Sequence, residues 1–203
     1  MDGYLSILQS TLTPNRLRHS LGVMGVMEDL APVYGLDLVQ ARTAGLLHDA
    51  AKELTPEQQA QAAQAAGIVP GCEAERDYTI YLHGPVGAYT VRTDYGVDDQ
   101  LVLDAIAAHC FSGSGANFHA PLSWCLRFAD ILEPNRHWDG PGRAFAEGSP
   151  GMRAAAFAGN LQEAALLHVR MTIRFLTENH LPLHPNYPRV QTELAEGRLN
   201  LVY

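Results

Sequence analysis

Apolar residues recur along this chain at spacings of three and four, the period of helices buried on one face. Thr13-Pro14 reads as an N-cap with proline at the first helical position, and Leu17, Leu21, Met24, Met27 and Leu30 then define an apolar face. Asp37 opens a second helix running through Ala44 and Leu47 to His48. Thr55 with Gln58 three residues later forms a capping-box start for a helix to about Ala66. Gly84-Pro85 starts another, to about Tyr95, and Asp98 caps a helix from Leu101 to His109. Pro121 begins a short helix ending at Pro134, and Ser149-Pro150 starts a long one reaching Asn179. The Gly-rich stretches 112–120 and 137–149 read as mobile loops over a site or surface. No strand-like alternation persists and no repeat is present. The expected fold is all-α, a single helical bundle over 1–180, with 181–203 as a proline-containing tail packed loosely on or beside it.

Length and composition agree with one domain: 203 residues, 47% hydrophobic and 18% charged, which excludes a disordered chain. No apolar run approaches the ~18 residues a membrane helix needs, and the start carries no basic leader, so a cytoplasmic protein without membrane contact is expected. The net charge of −8 argues against nucleic acid as a partner but allows a small phosphorylated ligand where cations concentrate. Cys72, Cys110 and Cys125 lack C-x-x-C spacing and read as reduced thiols. Monomer and homodimer both remain open. Of the 14 basic residues only Lys52 is lysine, so position 52 is either a chance survivor or a site that wants a compact ammonium.

Lys52 follows the adjacent pair His48-Asp49, and a helix would bring the three onto one face, with Ala50 and Ala51 leaving room for a ligand. A capping Asp49 and a solvated Lys52 would be the plain alternative. Arg16 precedes His19 by three on the first long helix. Asp130 is framed by Phe128, Ala129, Ile131 and Leu132, and a carboxylate in an apolar frame needs a partner, a metal or a buried arginine. His19, His48, Asp49 and Asp130 come from three helices, as metal sites in bundles require. His83 and His109 sit at helix ends, where they serve either as caps or as site residues. Glu133 is either a solvated helix end or a support for a ligand or an arginine. Arg136 follows Pro134 and can fold back as a phosphate clamp. His119, His137, His168, His180 and His184 read as structural or surface residues.

The order H…HD…D resembles the HD-domain metal-dependent phosphohydrolases. Longer strings narrow the resemblance: Arg16-x-x-His19, His48-Asp49-x-Ala51-Lys52, His83-x-Pro85-Val86-Gly87-Ala88-Tyr89, His109, and Asp130-x-x-Glu133-Pro134-Asn135-Arg136. Together, over about residues 14–180, they are similar to the YqeK-type symmetrical bis(5′-nucleosyl)-tetraphosphatases. The chain departs from that pattern after His109, where Cys110-Phe111-Ser112-Gly113 replaces a threonine and a short glycine turn. The resemblance implies an HD-type bundle with His19, His48, Asp49 and Asp130 as metal ligands. It implies catalytic roles for Asp49, Lys52 and His83, and nucleotide contacts from Arg16, Lys52, His83, His109, Arg136 and Thr172. Mixed nitrogen and oxygen ligation suits a divalent transition metal, iron first and manganese or cobalt next, with one metal or two left open. The implied reaction is hydrolysis of diadenosine tetraphosphate to two ADP. The alternatives are an HD phosphohydrolase acting on a deoxynucleoside triphosphate or cyclic nucleotide, and a nucleotide or metal sensor without turnover.

Overall fold

The computed structural model describes residues 2–111 and 118–199, and these form eleven α-helices joined by turns and short 3-10 segments, with no strand. They are α1 (Asp2–Thr11), α2 (Pro14–Leu30), α3 (Leu38–Leu47), α4 (Pro56–Ala65), α5 (Glu73–Asp77) and α6 (His83–Tyr95). Then come α7 (Gln100–Ala108), α8 (Pro121–Leu132), α9 (Arg143–Phe157), α10 (Leu161–Glu178) and α11 (Asn186–Ala195). None is long and apolar enough to cross a membrane. The loop expected at 112–120 lies outside the described residues over 112–117.

Most helix starts follow the capping chemistry of the sequence. Thr13 accepts from Arg16 N, and Thr55 and Gln58 bond reciprocally. The cap before α7 is Asp99 rather than Asp98, since its carboxylate accepts from Leu101 N and Val102 N. α8 ends at Leu132, two residues before Pro134, as the restriction on pre-proline residues dictates.

Of the loop expected at 137–149 only 137–139 is irregular, and Ser149-Pro150 does not start a helix. A 3-10 turn at 140–142 leads into α9, and Pro150 lies inside that helix. The packing of α9 along α10 outweighs the missing N–H, and Gly148 lets Met171 of α10 come close. The real break is at Gly159, in the left-handed region at φ +78°, where Asn160 caps α10. Apolar spacing continues across this break, which hid it in the sequence.

The buried stripe of α2 is His19, Ser20, Val23, Val26, Met27 and Leu30, whereas Leu21 is exposed. Met27 and Leu30 of the expected apolar face are buried, but at the start of the helix the inward face is shifted, with His19 and Ser20 turned inside in place of Leu21. α2 packs along α3 at very short range: a Cβ on Gly45 would stand 2.8 Å from Met24 Cα. The core around these helices includes Val23, Met27, Leu46, Leu47, Ile106, Trp124 and Phe128. Of the expected tail, the described residues 181–199 are held, not loose. Pro182 O accepts from Tyr81 Oη at 2.7 Å, His184 Nε2 lies 3.1 Å from Glu75, and Asn186 Nδ2 donates to Phe111 O. α11 then packs on α10.

Candidate active site

Four buried histidines, His19, His48, His83 and His109, meet around Asp49 where the ends of α3, α6 and α7 reach α2 and α8. Three of them stand at helix ends and bond a carbonyl three residues back. His48 Nδ1 donates to Gly45 O at 2.9 Å, His109 Nδ1 to Ile106 O at 2.6 Å, and His83 Nδ1 to Ile80 O. His19, inside α2, uses Glu133 Oε1 instead, at 3.1 Å. Carbonyl and carboxylate oxygens only accept, so each Nδ1 carries a proton, and a ring in its neutral form turns a lone pair at Nε2 inward.

These Nε2 atoms face one another in pairs: His19 and His48 at 3.2 Å, His83 and His109 at 2.9 Å. Asp49 lies between the pairs. Its Oδ2 is 3.7 and 3.6 Å from the first pair, and its Oδ1 is 3.3 and 3.7 Å from the second. Asp130 Oδ1 adds 3.1 Å to His19 Nε2 and 3.8 Å to His48 Nε2. Lone pairs packed this closely repel unless positive charge stands between them. The donor set fits divalent transition metal ions, with Asp49 offering one oxygen to each imidazole pair.

The electrostatics agree. Burial disfavours charge on His48, but Asp49 and Asp130 outweigh it and raise its pKa, so the pocket favours positive charge there. Burial likewise opposes charge on both acids. His48 and Lys52 nevertheless hold Asp49 well below the carboxylate range, and Arg136 with bonds from His19 and His48 does the same for Asp130. His83 is pushed down to about 4 by burial and then by the Lys52 ammonium, and His109 is pushed down chiefly by burial. Both stay in the neutral form that binds a metal.

Lys52 reaches the cluster by a different route from the helical one expected. α3 ends at Leu47, and residues 48–53 form successive turns. Glu53 ties these turns to the start of α2, accepting from Thr13 N at 2.6 Å and Thr13 Oγ1 at 2.7 Å. Lys52 Nζ then sits 3.0 Å from His83 Nε2. Ala50 and Ala51 are buried in packing and leave no open space for a ligand. His83 has no free helix N-terminus to itself either, because a 3-10 turn at 79–82 runs directly into α6.

The arginines expected at the site are both present. Arg16 Nη1 donates to Asp49 Oδ2 at 2.8 Å. Arg136 bonds Asp130 twice, through the carboxylate Oδ1 and the backbone oxygen. Asp130, itself half-buried, thus has a half-buried arginine as partner beside the histidines. Glu133 is not a solvated helix end. It is 3% exposed, and its Oε2 accepts from Asn135 N at 2.7 Å and Asn135 Nδ2 at 2.9 Å. Gly22 makes room for it, since a Cβ there would lie 2.4 Å from Glu133 Oε2.

Glu133→Gln tests this support. The amide has one oxygen to share between His19 Nδ1 and Asn135 N–H, so one of them loses its acceptor. Metal affinity should fall about 10–100-fold with helical content unchanged, as read by metal titration and circular dichroism. Unchanged affinity would exclude a role for Glu133 in orienting His19.

The cluster forms one end of a pocket lined there by Asp49, Lys52, His83, His109, Asp130 and Arg136. The other end is apolar and aromatic, with Tyr78, Tyr81, Trp138, Phe145, Phe175 and Tyr187. Trp138, Phe145 and Phe175 form a continuous wall with centroids 4.5 and 4.9 Å apart, and the Arg136 guanidinium lies 4.9 Å over Trp138. Two of these rings come from the stretch 137–149, whose role the sequence did not disclose. Thr172 lines the pocket, with its hydroxyl donating to His168 O. His168, packed among core aromatic rings as a structural residue would be, also lines it. Arg16 reaches the cluster through Asp49 and is not part of the pocket lining.

Residues 16–144 match the HD domain family. The chain is 30% identical over 184 residues, 90% of each chain, to a protein of Bacillus subtilis named symmetrical bis(5′-nucleosyl)-tetraphosphatase. It is 28% identical over 186 residues, again 90% of each, to a protein of the same name from Halalkalibacterium halodurans. A crystal structure of an HD superfamily hydrolase from Clostridium acetobutylicum, described as involved in NAD metabolism, superposes with a TM-score of 0.83 over 97% of each chain at 30% identity. The four-histidine, two-aspartate cluster thus stands on a fold and in a sequence shared with these proteins, and the chain belongs to the HD-domain family, in the group of the symmetrical bis(5′-nucleosyl)-tetraphosphatases.

Proposed function

We propose that this protein is a metal-dependent hydrolase of dinucleoside polyphosphates that cleaves diadenosine tetraphosphate at its central anhydride, giving two ADP. The observation that carries this reading is a single pocket lined by both the histidine–aspartate cluster and an aromatic wall, with Arg136 bonded to the one and stacked on the other. Phosphates suit the cluster, where Lys52 stands, a base suits the aromatic wall, and Arg136 lies between. The names of the Bacillus subtilis and Halalkalibacterium halodurans relatives support the same substrate class.

We assign His19, His48, Asp49 and Asp130 to one divalent metal, and His83 and His109, with the other oxygen of Asp49, to a second. Iron is the first choice, manganese or cobalt the next. When bound, such ions supply Lewis-acid polarisation of phosphoryl oxygens and acidify water to a nucleophile at neutral pH. The remaining work falls to the chain. The Lys52 ammonium lies beside the cluster and neutralises phosphate charge as a compact donor. Arg136, fixed by Asp130 and backed by Trp138, presents its remaining guanidinium N–H groups to the phosphates. The aromatic wall and Thr172 hold the nucleoside and exclude water from the apolar end. One ADP half held this way places its β-phosphorus nearest the cluster, and the other half leaves as ADP.

Hydrolysis in oxygen-18 water with products resolved by mass tests the cut. Attack of water at a central phosphorus breaks the β–β′ anhydride. ADP is then the only product, and half of its molecules carry one label. AMP and ATP in equal amounts would exclude the symmetrical cut. No turnover of any dinucleotide would replace this reading with a mononucleotide substrate.

A further inference from the structure

One polar group in the pocket wall has no part in the reaction just described. His168 lies on the buried face of α10, one turn before Thr172, and is 5% exposed. Its Nδ1 has no hydrogen-bond partner, although it belongs to a residue lining the pocket. The ring is set among Phe111, Trp124 and Phe128, with centroids 5.8, 6.1 and 6.2 Å away, so packing fixes its orientation. Behind it stands Arg127, 1% exposed, its guanidinium 4.9 Å from the Phe111 centroid and 4.7 Å from that of Trp124. Arg127 donates to Ala108 O at 2.6 Å and has no carboxylate partner among the described residues. Burial and then this cation push the His168 pKa down to about 3. The imidazole is therefore neutral, with one N–H and one lone pair. Buried polar atoms without partners are rare and call for a reason. His168, Thr172, Phe175 and Leu176 of this helix all line the pocket, and Asp130 of the charged cluster is near enough to His168 to partly offset the effect of Arg127.

We propose that His168 is a specificity-determining residue, hydrogen-bonding an uncharged edge of the nucleoside, base or sugar hydroxyl, in the bound nucleotide. The inference rests on the nucleotide reading above. A neutral, rigidly packed imidazole suits an uncharged donor–acceptor edge, whereas the phosphate end of this pocket is built from ammonium and guanidinium groups.

The test is calorimetric binding of ADP, ribose 5-phosphate and inorganic pyrophosphate to the metal-loaded protein and to His168→Leu, His168→Phe and His168→Gln. The apolar variants should weaken ADP about tenfold and leave pyrophosphate unchanged. They should also raise KM for diadenosine tetraphosphate more than they lower kcat. His168→Gln should recover part of the loss. The melting temperature should hold or rise, because an unpartnered nitrogen leaves the core. Phenylalanine suits the aromatic surroundings should leucine fail to fold. Weakening of both ADP and ribose 5-phosphate assigns the contact to the sugar, and weakening of ADP alone assigns it to the base. Equal weakening of pyrophosphate, or unchanged ADP affinity in a folded variant, overturns the proposal. Failure of the wild-type protein to bind ADP overturns the nucleotide reading and this inference with it.

Discussion

Replacing Asp49 by asparagine is expected to lower kcat/KM by about 10³-fold or more while leaving the helical content intact. The Asp49 carboxylate reaches both imidazole pairs: one oxygen faces His19 and His48, the other His83 and His109. An amide keeps one oxygen and turns an N–H₂ donor toward the other pair, where a ligand lone pair is needed. Arg16, which donates to Oδ2, orients the remaining oxygen toward the first pair. Metal analysis should therefore show the second pair emptied first. The substitution also removes a negative charge that favours cations at His48, so affinity at the first pair falls as well. Two metals per chain in Asp49→Asn, with normal turnover, would show that Asp49 bridges nothing.

Removing metal from the wild-type protein is the second large effect. Turnover should be lost, and the melting temperature should fall and become dependent on metal concentration. The folded chain brings six ligand side chains together that the unfolded chain scatters over residues 19–130, so metal binds the native state by preference. At a metal concentration 1,000 times Kd the linkage is worth about 4 kcal/mol. For a domain of this size that corresponds to roughly 8–16 °C. Iron(II), manganese(II) or cobalt(II) should restore both activity and melting temperature. Calcium should not, because four imidazoles are poor ligands for a cation that prefers oxygen. Full activity in protein shown to be metal-free would exclude the assignment.

The substitution and the stripping experiment address different levels of organisation. The first depends on which atoms Asp49 presents, the second on whether the cluster as a whole needs a cation. The Glu133 substitution lies between them, because it changes no ligand atom and acts only through the orientation of His19.

What could be read from the sequence were the features set by near neighbours along the chain. Caps at Thr13, Asp37 and Thr55 are local hydrogen bonds, so side-chain type and spacing suffice to place them. The apolar frame of Asp130 called for a partner, and the structure supplies Arg136 together with His19 and His48. His19, His48, Asp49 and Asp130 were legible as a group through motif order. Local signals misled where long-range packing outweighed them. Pro150 is accommodated in α9 because that helix lies along α10, and the inward face of α2 follows His19, not Leu21. Lys52 meets His83 across turns that Glu53 clamps, a contact that no helical spacing predicts. Only the tertiary structure decided that His83 and His109 pair as His19 and His48 do, that Glu133 anchors one imidazole, and that Trp138, Phe145 and His168 share a pocket with the cluster. Those contacts join residues 26 to 114 positions apart. They depend on how helices cross, and crossing is settled by the shapes of whole packed surfaces, which spacing along one chain does not encode.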